Sequence, residues 1–581
     1  MSVTPGWASL TRRKAPQLHG WPASSRIKSS PNPSSRRHGE EQEFAAFTLT
    51  FVLNPDKLIP QTLFPPVLDW FTPPPLFAKM SETMSVAVVG AGIFGLSLAV
   101  ALREKGKPTP KPLLFPSSAA AAHTPNPGWL GVGYNVTVLD RHPYDETQYD
   151  PVADENVQAA SVDHNKIASF RFRASYGTKL HYQRLALESR EEWVAINKSS
   201  GADLFVPSGM LRVQPSDELG ALEKETLANM ERDGIRETQF VKSLVEDRER
   251  AKAEGWDAKL LEFPIPDSKD GRTYEAVLDS LGGFMRCSNA CLYFHQLAVS
   301  KGVKFIFGNE HGAVESIVEE TVGGKKKAVG VKTRDGAVHK ADVVAVAGGS
   351  FTTQLIPDLS THLESSGGSL ATFKIDKENK DLWNKYSPET FPVITWKSTP
   401  RNKIGKDTGS VYVLPRTPDG LVKIGFRGIK FTNFQPAPEG VPFTQDGKWS
   451  IPMSPSDSSA IPEAAIDSIR QFVKIFLPDF DKVPFHSTKL CWYTDSLDNS
   501  FVIDHVPTYT DNSLFVCTGG SGHGAKFLPV LGKHAADILQ NGDNATSFLR
   551  PFWRWRPDAP RRNGLEDGPH SQRNIGQCQV E

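Results

Sequence analysis

The chain has 581 residues, and its 66 lysine and arginine residues are balanced by 66 aspartate and glutamate residues. This length is enough for two or more domains, and the balanced charge gives no reason to expect nucleic acid or an anionic membrane as a partner. No run of about 18 apolar residues offers a membrane span. The five cysteines are odd in number and widely spaced, which argues against a disulfide framework and favours a reducing compartment. They form no cluster at zinc-ligand spacing, so no metal site is expected.

The two ends of the chain carry no motif for chemistry. Residues 1–79 are rich in Pro and Ser and have neither helical nor strand periodicity, which predicts disorder. Two alternatives remain open for this segment: a mitochondrial transit peptide, which the prolines oppose, and a start of translation at Met80 or Met84. Residues 566–581 are interpreted as a tail, and the final "QCQVE" is not a Ser-Lys-Leu peroxisomal signal.

A nucleotide-binding motif begins at residue 85 with "SVAVVGAGIFGLSLAVALREKG". The valine-rich run predicts a strand, and the segment after the glycines has the apolar periodicity of a helix. Gly90 permits a tight turn, Gly92 lets a pyrophosphate approach the backbone, and Gly95 lets the helix pack on the strand. Ile93 and Phe94 at the start of the helix belong to the same predicted site, because the first helical N–H groups bind phosphate.

The second strand of such a unit should end in an acidic residue about 20 residues after the glycines. It is found later, as "YNVTVLD", residues 134–140, which ends in Asp140 and is followed by Arg141. We interpret the Pro- and Ala-rich residues 107–133 as an insertion or a retained intron, since removing them restores the spacing. A genuine long surface loop is the alternative, because long loops cost little free energy.

Five further motifs follow in chain order. They are "QAASVDHNKIASFRFRASYG" (158–177), "ADVVAVAGGSFTTQL" (341–355), "VYVLPRTPDGLVKIGFRG" (411–428), "STKLCWYTDSLDNSFVIDHVP" (487–507) and "LFVCTGGSGHGAKFLPVLGKHAADIL" (514–539). Together with the glycine turn they resemble the D-amino-acid oxidase superfamily of flavoenzymes, in its sarcosine, pipecolate, saccharopine and fructosyl amino acid oxidase branch. The resemblance covers about residues 84–565.

The resemblance implies a mixed α/β fold, in which a Rossmann-type FAD-binding domain of the glutathione-reductase kind is interleaved with an antiparallel-sheet substrate domain. The FAD-binding segments would be about 84–190, 285–355 and 485–545. The substrate-domain segments would be about 191–284 and 356–484. Without the resemblance, the pattern alone predicts only buried strands, glycine turns and a hairpin around the Pro-Asp-Gly turn.

The resemblance also implies which residues hold the cofactor. Cys491 matches the cysteine that, in this branch, bonds covalently to the flavin, whereas a lone apolar-flanked cysteine is otherwise a buried small hydrophobe. Lys166 would lie against the flavin, or on a solvated face if "ASFRF" is a small insertion. The remaining residues implied for the FAD site are Ser161, Val314, Gly348, Gly520, Gly522, Gly524 and Lys526.

On the substrate side, the resemblance implies Lys423 beside the flavin ring where oxygen is reduced, with Tyr412 on the adjoining strand. Lys526 and Arg173 would pair with a substrate carboxylate, since a desolvated anion needs charged donors; for Arg173 a solvated face is the alternative. Arg427 stands where sarcosine oxidases have a histidine. This permanent cation argues against sarcosine itself and for a larger or more acidic substrate.

The sequence therefore predicts an FAD-dependent oxidase of amino-acid-type secondary amines, which forms an imine and reduces O2 to H2O2. Saccharopine or pipecolate is favoured over fructosyl amino acids or sarcosine. A flavin dehydrogenase with another electron acceptor, and a catalytically dead flavoprotein or mispredicted gene product, remain alternatives. We expect a monomer whose partners are the amine and O2, in the cytoplasm or peroxisome.

Overall fold

The computed structural model describes residues 83–105, 134–151, 157–169, 180–397, 410–439, 447–496, 498–557, 559 and 573–578. The hypotheses on residues 1–79 and 107–133, and the prediction for Arg173, fall outside these ranges. The described residues all belong to one unit, Ala78–Glu581. Within them, none of the helices has the length and apolarity that crossing a membrane requires.

Strands and helices alternate along the first part of the chain, and strands dominate the middle. The strands, in chain order, are β1 (Met84–Val89), β2 (Tyr134–Asp140), β3 (Lys166–Ala168), β4 (Phe205–Val206), β5 (Met210–Val213), β6 (Gln239–Val241), β7 (Ala276–Asp279), β8 (Gly283–Met285), β9 (Lys304–Phe307), β10 (Val314–Val322), β11 (Lys325–Thr333), β12 (Val338–Lys340), β13 (Val343–Val346), β14 (Leu363–Lys374), β15 (Val393–Lys397), β16 (Ser410–Val413), β17 (Leu421–Phe431), β18 (Phe434–Pro436), β19 (Lys448–Ser450), β20 (Ser487–Ser496), β21 (Val502–His505) and β22 (Leu514–Thr518). The α-helices are α1 (Ile93–Glu104), α2 (Tyr144–Thr147), α3 (Leu180–Ser200), α4 (Ala221–Arg232), α5 (Val245–Ala253), α6 (Cys287–Ser300), α7 (Thr352–Leu355), α8 (Lys380–Lys385), α9 (Glu463–Phe476), α10 (Leu528–Asn541) and α11 (Arg550–Trp553).

A six-stranded sheet contains the glycine motif. Its strand order is β21-β22-β13-β1-β2-β9, with every pairing parallel except that of β21 with β22. β1 lies between β2 and β13, so that Val86 is level with Val136 on one side and Val343 on the other. The parallel β1–β2 pair confirms that residues 134–140 form the strand next to the glycine motif, as the sequence predicts.

Close packing of α1 against α10 stabilises this sheet from one side. A Cβ added at Gly532 would lie 1.9 Å from the carbonyl oxygen of Ser97, so only glycine allows the two helices to approach this far. The buried Ser97 hydroxyl donates to the carbonyl of Leu528 at 2.6 Å and accepts from the N–H of Gly532 at 2.7 Å. The contact leaves the N-terminus of α1 facing the carboxyl ends of the strands.

An eight-stranded, mainly antiparallel sheet forms the second large layer, in the order β20-β14-β17-β16-β15-β5-β7-β6. β16 and β17 make the hairpin that the sequence predicts, and its turn ends at Gly420, which has a φ of 91°. Helix α9 packs its apolar side, including Ile469 and Phe472, into the core of this sheet. β20 belongs to this sheet through its pairing with β14, although the sequence assigned residues 485–545 to the FAD-binding part.

The C-terminal segment 573–578 also packs on the eight-stranded sheet. Its main chain pairs with Thr432, whose N–H donates to the carbonyl of Arg573 at 2.8 Å. The Arg573 guanidinium is buried and ion-pairs with Glu364 of β14. Ile575 joins the apolar core at 7% exposure. Nothing in the composition of this segment predicts a buried arginine.

Candidate active site

A cavity of about 500 Å³ lies where the glycine motif faces the eight-stranded sheet. Most of the residues that the sequence assigns to the site line it. They are Gly90, Gly92, Ile93, Phe94, Asp140, Arg141, Ser161, Lys166, Val314, Gly348, Tyr412, Arg427, Cys491, Gly520, Gly522, Gly524 and Lys526. Gly95 and Lys423 are not among the lining residues.

The glycine turn forms one end of the cavity. Gly90 has a φ of 110°, and a Cβ there would lie 2.5 Å from the carbonyl oxygen of Ala347 in the loop after β13. Gly92 is the N-cap of α1 and makes no side-chain capping bond. The first-turn N–H groups of α1 therefore point to the cavity without a cap, which is the arrangement that binds phosphate.

Behind this turn, Gly95 sets the distance between α1 and β1. A Cβ at Gly95 would lie 1.8 Å from the carbonyl oxygen of Gly90. The packing role that the sequence pattern predicts for this glycine therefore follows from the geometry, and it explains why Gly95 does not line the cavity.

The carboxylate of Asp140 stands at the end of β2. Its Oδ2 accepts from the N–H of Ala91 at 2.7 Å, and its Oδ1 accepts from the N–H of His142 at 3.0 Å. Each oxygen keeps a second lone pair for a ligand hydroxyl. Asp140 thus holds the glycine turn in place as well as facing the cavity, a structural task that the spacing rule alone does not predict.

Arg141 and Phe351 form a stacked pair on the same side. The Arg141 guanidinium lies 4.0 Å from the centroid of the Phe351 ring, and burial lowers its pKa below the usual arginine value. Nearby, a Cβ at Gly312 would lie 2.2 Å from the carbonyl oxygen of Asp140. Only a glycine at this position therefore lets the chain before Val314 pack so closely against β2. Sequence reasoning missed Phe351, which lies within the 341–355 motif but received no role, and Gly312.

The opposite wall is built by β14 and β20. Cys491 lies directly across from Gly368, which has no side chain to cover the thiol. The Sγ side of Cys491 is therefore open to the cavity, and its side chain is half-buried. Cys517 of β22 also lines the cavity but is fully buried, and burial raises the pKa of its thiol.

Three further polar side chains of this wall have no hydrogen-bond partner in the described part of the chain. The hydroxyls of Tyr493, Thr494 and Ser369 are all buried, and the three residues line the cavity. Buried polar groups are normally hydrogen-bonded, so these three hydroxyls are suited to a polar ligand. Tyr493 follows Cys491 by two residues and shares its face of β20, a period-2 signal that could have identified it in the sequence.

Arg427 and Lys526 bring positive charge to this region. The Arg427 guanidinium donates to the carbonyls of Gly522 at 3.1 Å and Ser521 at 3.4 Å. Lys526 is 6% exposed, and burial, assisted by the nearby Arg427, lowers its pKa to about 7. The main-chain carbonyl of Lys526 accepts from the indole N–H of Trp193 at 2.8 Å, which fixes the segment to α3.

Tyr412 and Lys423 lie on the same face of the β16–β17 hairpin. Tyr412 is paired with Gly425, and a Cβ there would lie 2.1 Å from the Tyr412 ring, so the glycine makes room for it. Burial raises the pKa of Tyr412 to about 12. Lys423 is buried behind the wall: its ammonium lies 2.8 Å from Oδ1 of Asp163 and donates to the carbonyl of Asn165.

Several known proteins are similar to this chain. L-saccharopine oxidase of Schizosaccharomyces pombe is 26% identical over 486 residues, which cover 82% of this chain and 94% of that protein. N-methyl-L-tryptophan oxidase of Escherichia coli is 28% identical over 387 residues, covering 65% and 85%. A modified fructosyl peptide oxidase from Aspergillus nidulans superposes with a TM-score of 0.63 at 23% identity, covering 86% of this chain and 99% of that one. This structural likeness establishes the shared fold.

The cavity fits a flavin dinucleotide at both ends. Its glycine turn offers uncapped helical N–H groups, and its far wall offers three buried hydroxyls without partners among the described residues. Gly522 in the second glycine turn has a φ of 67°, a backbone conformation that favours glycine. A family model described as FAD dependent oxidoreductase matches residues 85–538. The chain therefore belongs to this family and is an FAD-dependent oxidoreductase.

Proposed function

We propose that the protein is an oxidase of amino-acid-type secondary amines, which converts the C–N bond to an imine and reduces O2 to H2O2. The observation that carries the proposal is the pair of cations, Lys526 and Arg427, in the same cavity as Cys491 and the glycine turn. A substrate carboxylate at this pair would gain charge-assisted hydrogen bonds, one of them from the buried Lys526. The names of the similar proteins, which are oxidases of amino-acid-type compounds, support the same assignment.

The residues that would hold FAD are spread over both sheets. The glycine turn and the start of α1 would bind its pyrophosphate, and Asp140 would bind a ribose hydroxyl. Gly520, Gly522 and Gly524 would leave room against the ring system, and Cys491 would form a covalent thioether. When bound there, FAD supplies the two-electron acceptor of the reaction.

The protein itself binds, orients and shields the substrate. Lys526 and Arg427 would hold the carboxylate and so fix the position of the neighbouring amine nitrogen. Tyr412 and Tyr493 are buried aromatic walls of the cavity whose hydroxyls stay protonated, because burial raises the pKa of both. The amine would react as its neutral free base, which requires no histidine base.

One observation favours a dehydrogenase with another electron acceptor as the second candidate. Lys423, the cation implied for the reaction with oxygen, contacts Asp163 and does not line the cavity. If the charge of Lys423 does not assist the reaction with O2 from this buried position, the electrons taken from the amine would pass to a different acceptor. Peroxide formed per amine oxidised separates the two candidates.

The test is a peroxide-coupled screen of the purified flavoprotein with saccharopine, pipecolate, sarcosine, N-methyltryptophan and a fructosyl amino acid. An oxidase gives one H2O2 per imine formed with at least one of these amines. Amine consumption with an artificial dye but without peroxide identifies the dehydrogenase. Full flavin content with no reaction under either condition contradicts the proposed function and favours a catalytically dead flavoprotein.

Carboxylate binding should depend on pH through Lys526. Because its pKa is about 7, the ammonium form that pairs with a carboxylate dominates below pH 7 and is lost above it. We expect the dissociation constant of acetate, followed by the change in flavin absorption, to rise about tenfold per pH unit above pH 7. In Lys526→Met, acetate should bind weakly at every pH.

Lys533→Met is the matched control for this prediction. Lys533 lies on α10, and its exposed ammonium pairs with Glu192 at 2.6 Å. This variant should keep the pH profile of the unmodified chain. An acetate dissociation constant that is the same at pH 6 and pH 9 in the unmodified chain would show that Lys526 is not the carboxylate partner.

A further inference from the structure

Asp163 lies between two lysines, although the sequence analysis gave this acid no role. Its Oδ1 lies 2.8 Å from the ammonium of Lys423 on β17, and its Oδ2 lies 2.8 Å from the ammonium of Lys166 on β3. Asp163 and Lys166 line the cavity, whereas Lys423 lies behind the wall. The Asp163 carboxylate therefore forms ion pairs with two cations at once: Lys423 of the eight-stranded sheet and Lys166 of the segment beside the glycine motif.

The main chain of Asp163 is held rigidly by the start of α6. Its N–H donates to the hydroxyl of Ser288 at 3.0 Å, and its carbonyl accepts from the N–H of Ser288 at 3.0 Å. Two residues earlier, the carbonyl of Ser161 accepts from the thiol of Cys287. The main chain at Asp163 is therefore fixed, and the two longer lysine side chains extend to its carboxylate.

This one acid offsets half of the positive charge of the two lysines. Burial by itself would raise the pKa of Asp163, but the two lysines outweigh that effect and hold its pKa well below the usual value. Burial lowers the pKa of Lys423, and Asp163 opposes this change. With Asp163 ionised, both lysines can remain charged, and the cluster has a net charge of one positive unit. The other titratable groups that face the cluster are His164, Cys287, Cys291, Tyr412 and Cys491.

We propose that Asp163 is a positioning residue, which keeps Lys423 charged behind the cavity wall and Lys166 charged at its surface. The inference rests on the proposed function, because it assigns to Lys423 the positive charge that assists the reaction with O2. Without the Asp163 carboxylate, two ammonium groups would share one buried site. Lys423 would then release its proton first, because its side chain is 4% exposed and that of Lys166 is 22% exposed.

The test is Asp163→Asn in the full-length flavoprotein, with the pH-difference absorption spectrum of the bound flavin as the readout. Lys526 lines the same cavity and has a pKa of about 7, so the unmodified chain should show one titration step, and in Asp163→Asn we expect a second step between pH 6 and pH 9. This second step should disappear in Asp163→Asn combined with Lys423→Met, and it should persist when Lys166→Met is the second change. In Asp163→Asn, the rate constant with O2 should fall about tenfold per pH unit above the second step.

Asp543→Asn is the matched control, because Asp543 has a 95% exposed side chain that pairs with Arg550, and it should show the Lys526 step alone. Absence of the second step in Asp163→Asn, or a second step that survives Lys423→Met, overturns the proposal. Should Asp163→Asn not fold, Lys423→Met alone is the second variant. It should keep its flavin and lose at least tenfold in the rate constant with O2, and an unchanged rate constant overturns the proposal. Absence of peroxide in the unmodified chain contradicts the proposed function instead, and the flavin spectrum still tests Asp163.

Discussion

Cys491→Ser is expected to move the flavin from the protein pellet to the supernatant when the purified protein is precipitated with acid. A thioether survives denaturation, whereas a cofactor held by hydrogen bonds and packing is released with the fold. Cys491 is the half-buried thiol that faces the cavity across from Gly368. Flavin absorbance in both fractions measures the change, which should run from nearly complete retention to nearly complete release.

Cys517→Ser is the matched control, because Cys517 also lines the cavity. Cys517 is fully buried, and burial raises the pKa of its thiol, so the thiolate needed for bond formation is disfavoured. Flavin should stay with the pellet in this variant. Release of flavin from the unmodified chain would remove the covalent assignment, and retention by Cys491→Ser would point to a different attachment residue.

The parts of the fold that could be predicted from the sequence are those with a local signal. β1, the glycine turn and α1 follow from a valine run, the Gly-x-Gly-x-x-Gly spacing and helical periodicity within residues 85–106. β2 is recognised by its alternation and its terminal Asp140, although residues 107–133 separate it from the glycine motif in the sequence. The β16–β17 hairpin follows from its turn residues.

The parts that could not be predicted depend on contacts between distant segments. Tyr493 and Ser369 meet in the cavity because β14 pairs with β20 more than 100 residues away in the sequence, and no local pattern sets that register. The sequence around Lys423 is that of an ordinary strand with an exposed lysine, and its partner Asp163 is 260 positions away. Arg573 is similar: its polar surroundings suggest an exposed tail, but Glu364 on β14 holds it in a buried ion pair.

Gly95→Ala is expected to abolish flavin binding and to destabilise the protein severely. The new Cβ would lie 1.8 Å from the carbonyl oxygen of Gly90 and 3.4 Å from Cγ1 of Val88. The first contact is with main chain, which no rotamer change can relieve, so α1 must move away from β1. Overpacking costs about 1–3 kcal/mol and occasionally more. The gain in helix propensity from Gly to Ala, about 1 kcal/mol at most, is too small to offset a clash at the upper end of this range.

The displacement should affect binding more than folding, because the first-turn N–H groups of α1 would move with the helix away from the glycine turn. Flavin retained per chain after gel filtration should fall at least tenfold, and the urea midpoint of unfolding should fall as well. Gly576→Ala is the matched control, since in the described part of the chain no atom other than those of its sequence neighbours lies within 4 Å of a Cβ placed there, and it should leave both quantities unchanged. If Gly95→Ala retains its flavin and its urea midpoint, α1 does not pack on β1 at the distance that this phosphate site requires, and the assignment of the glycine turn to the FAD pyrophosphate would have to be abandoned.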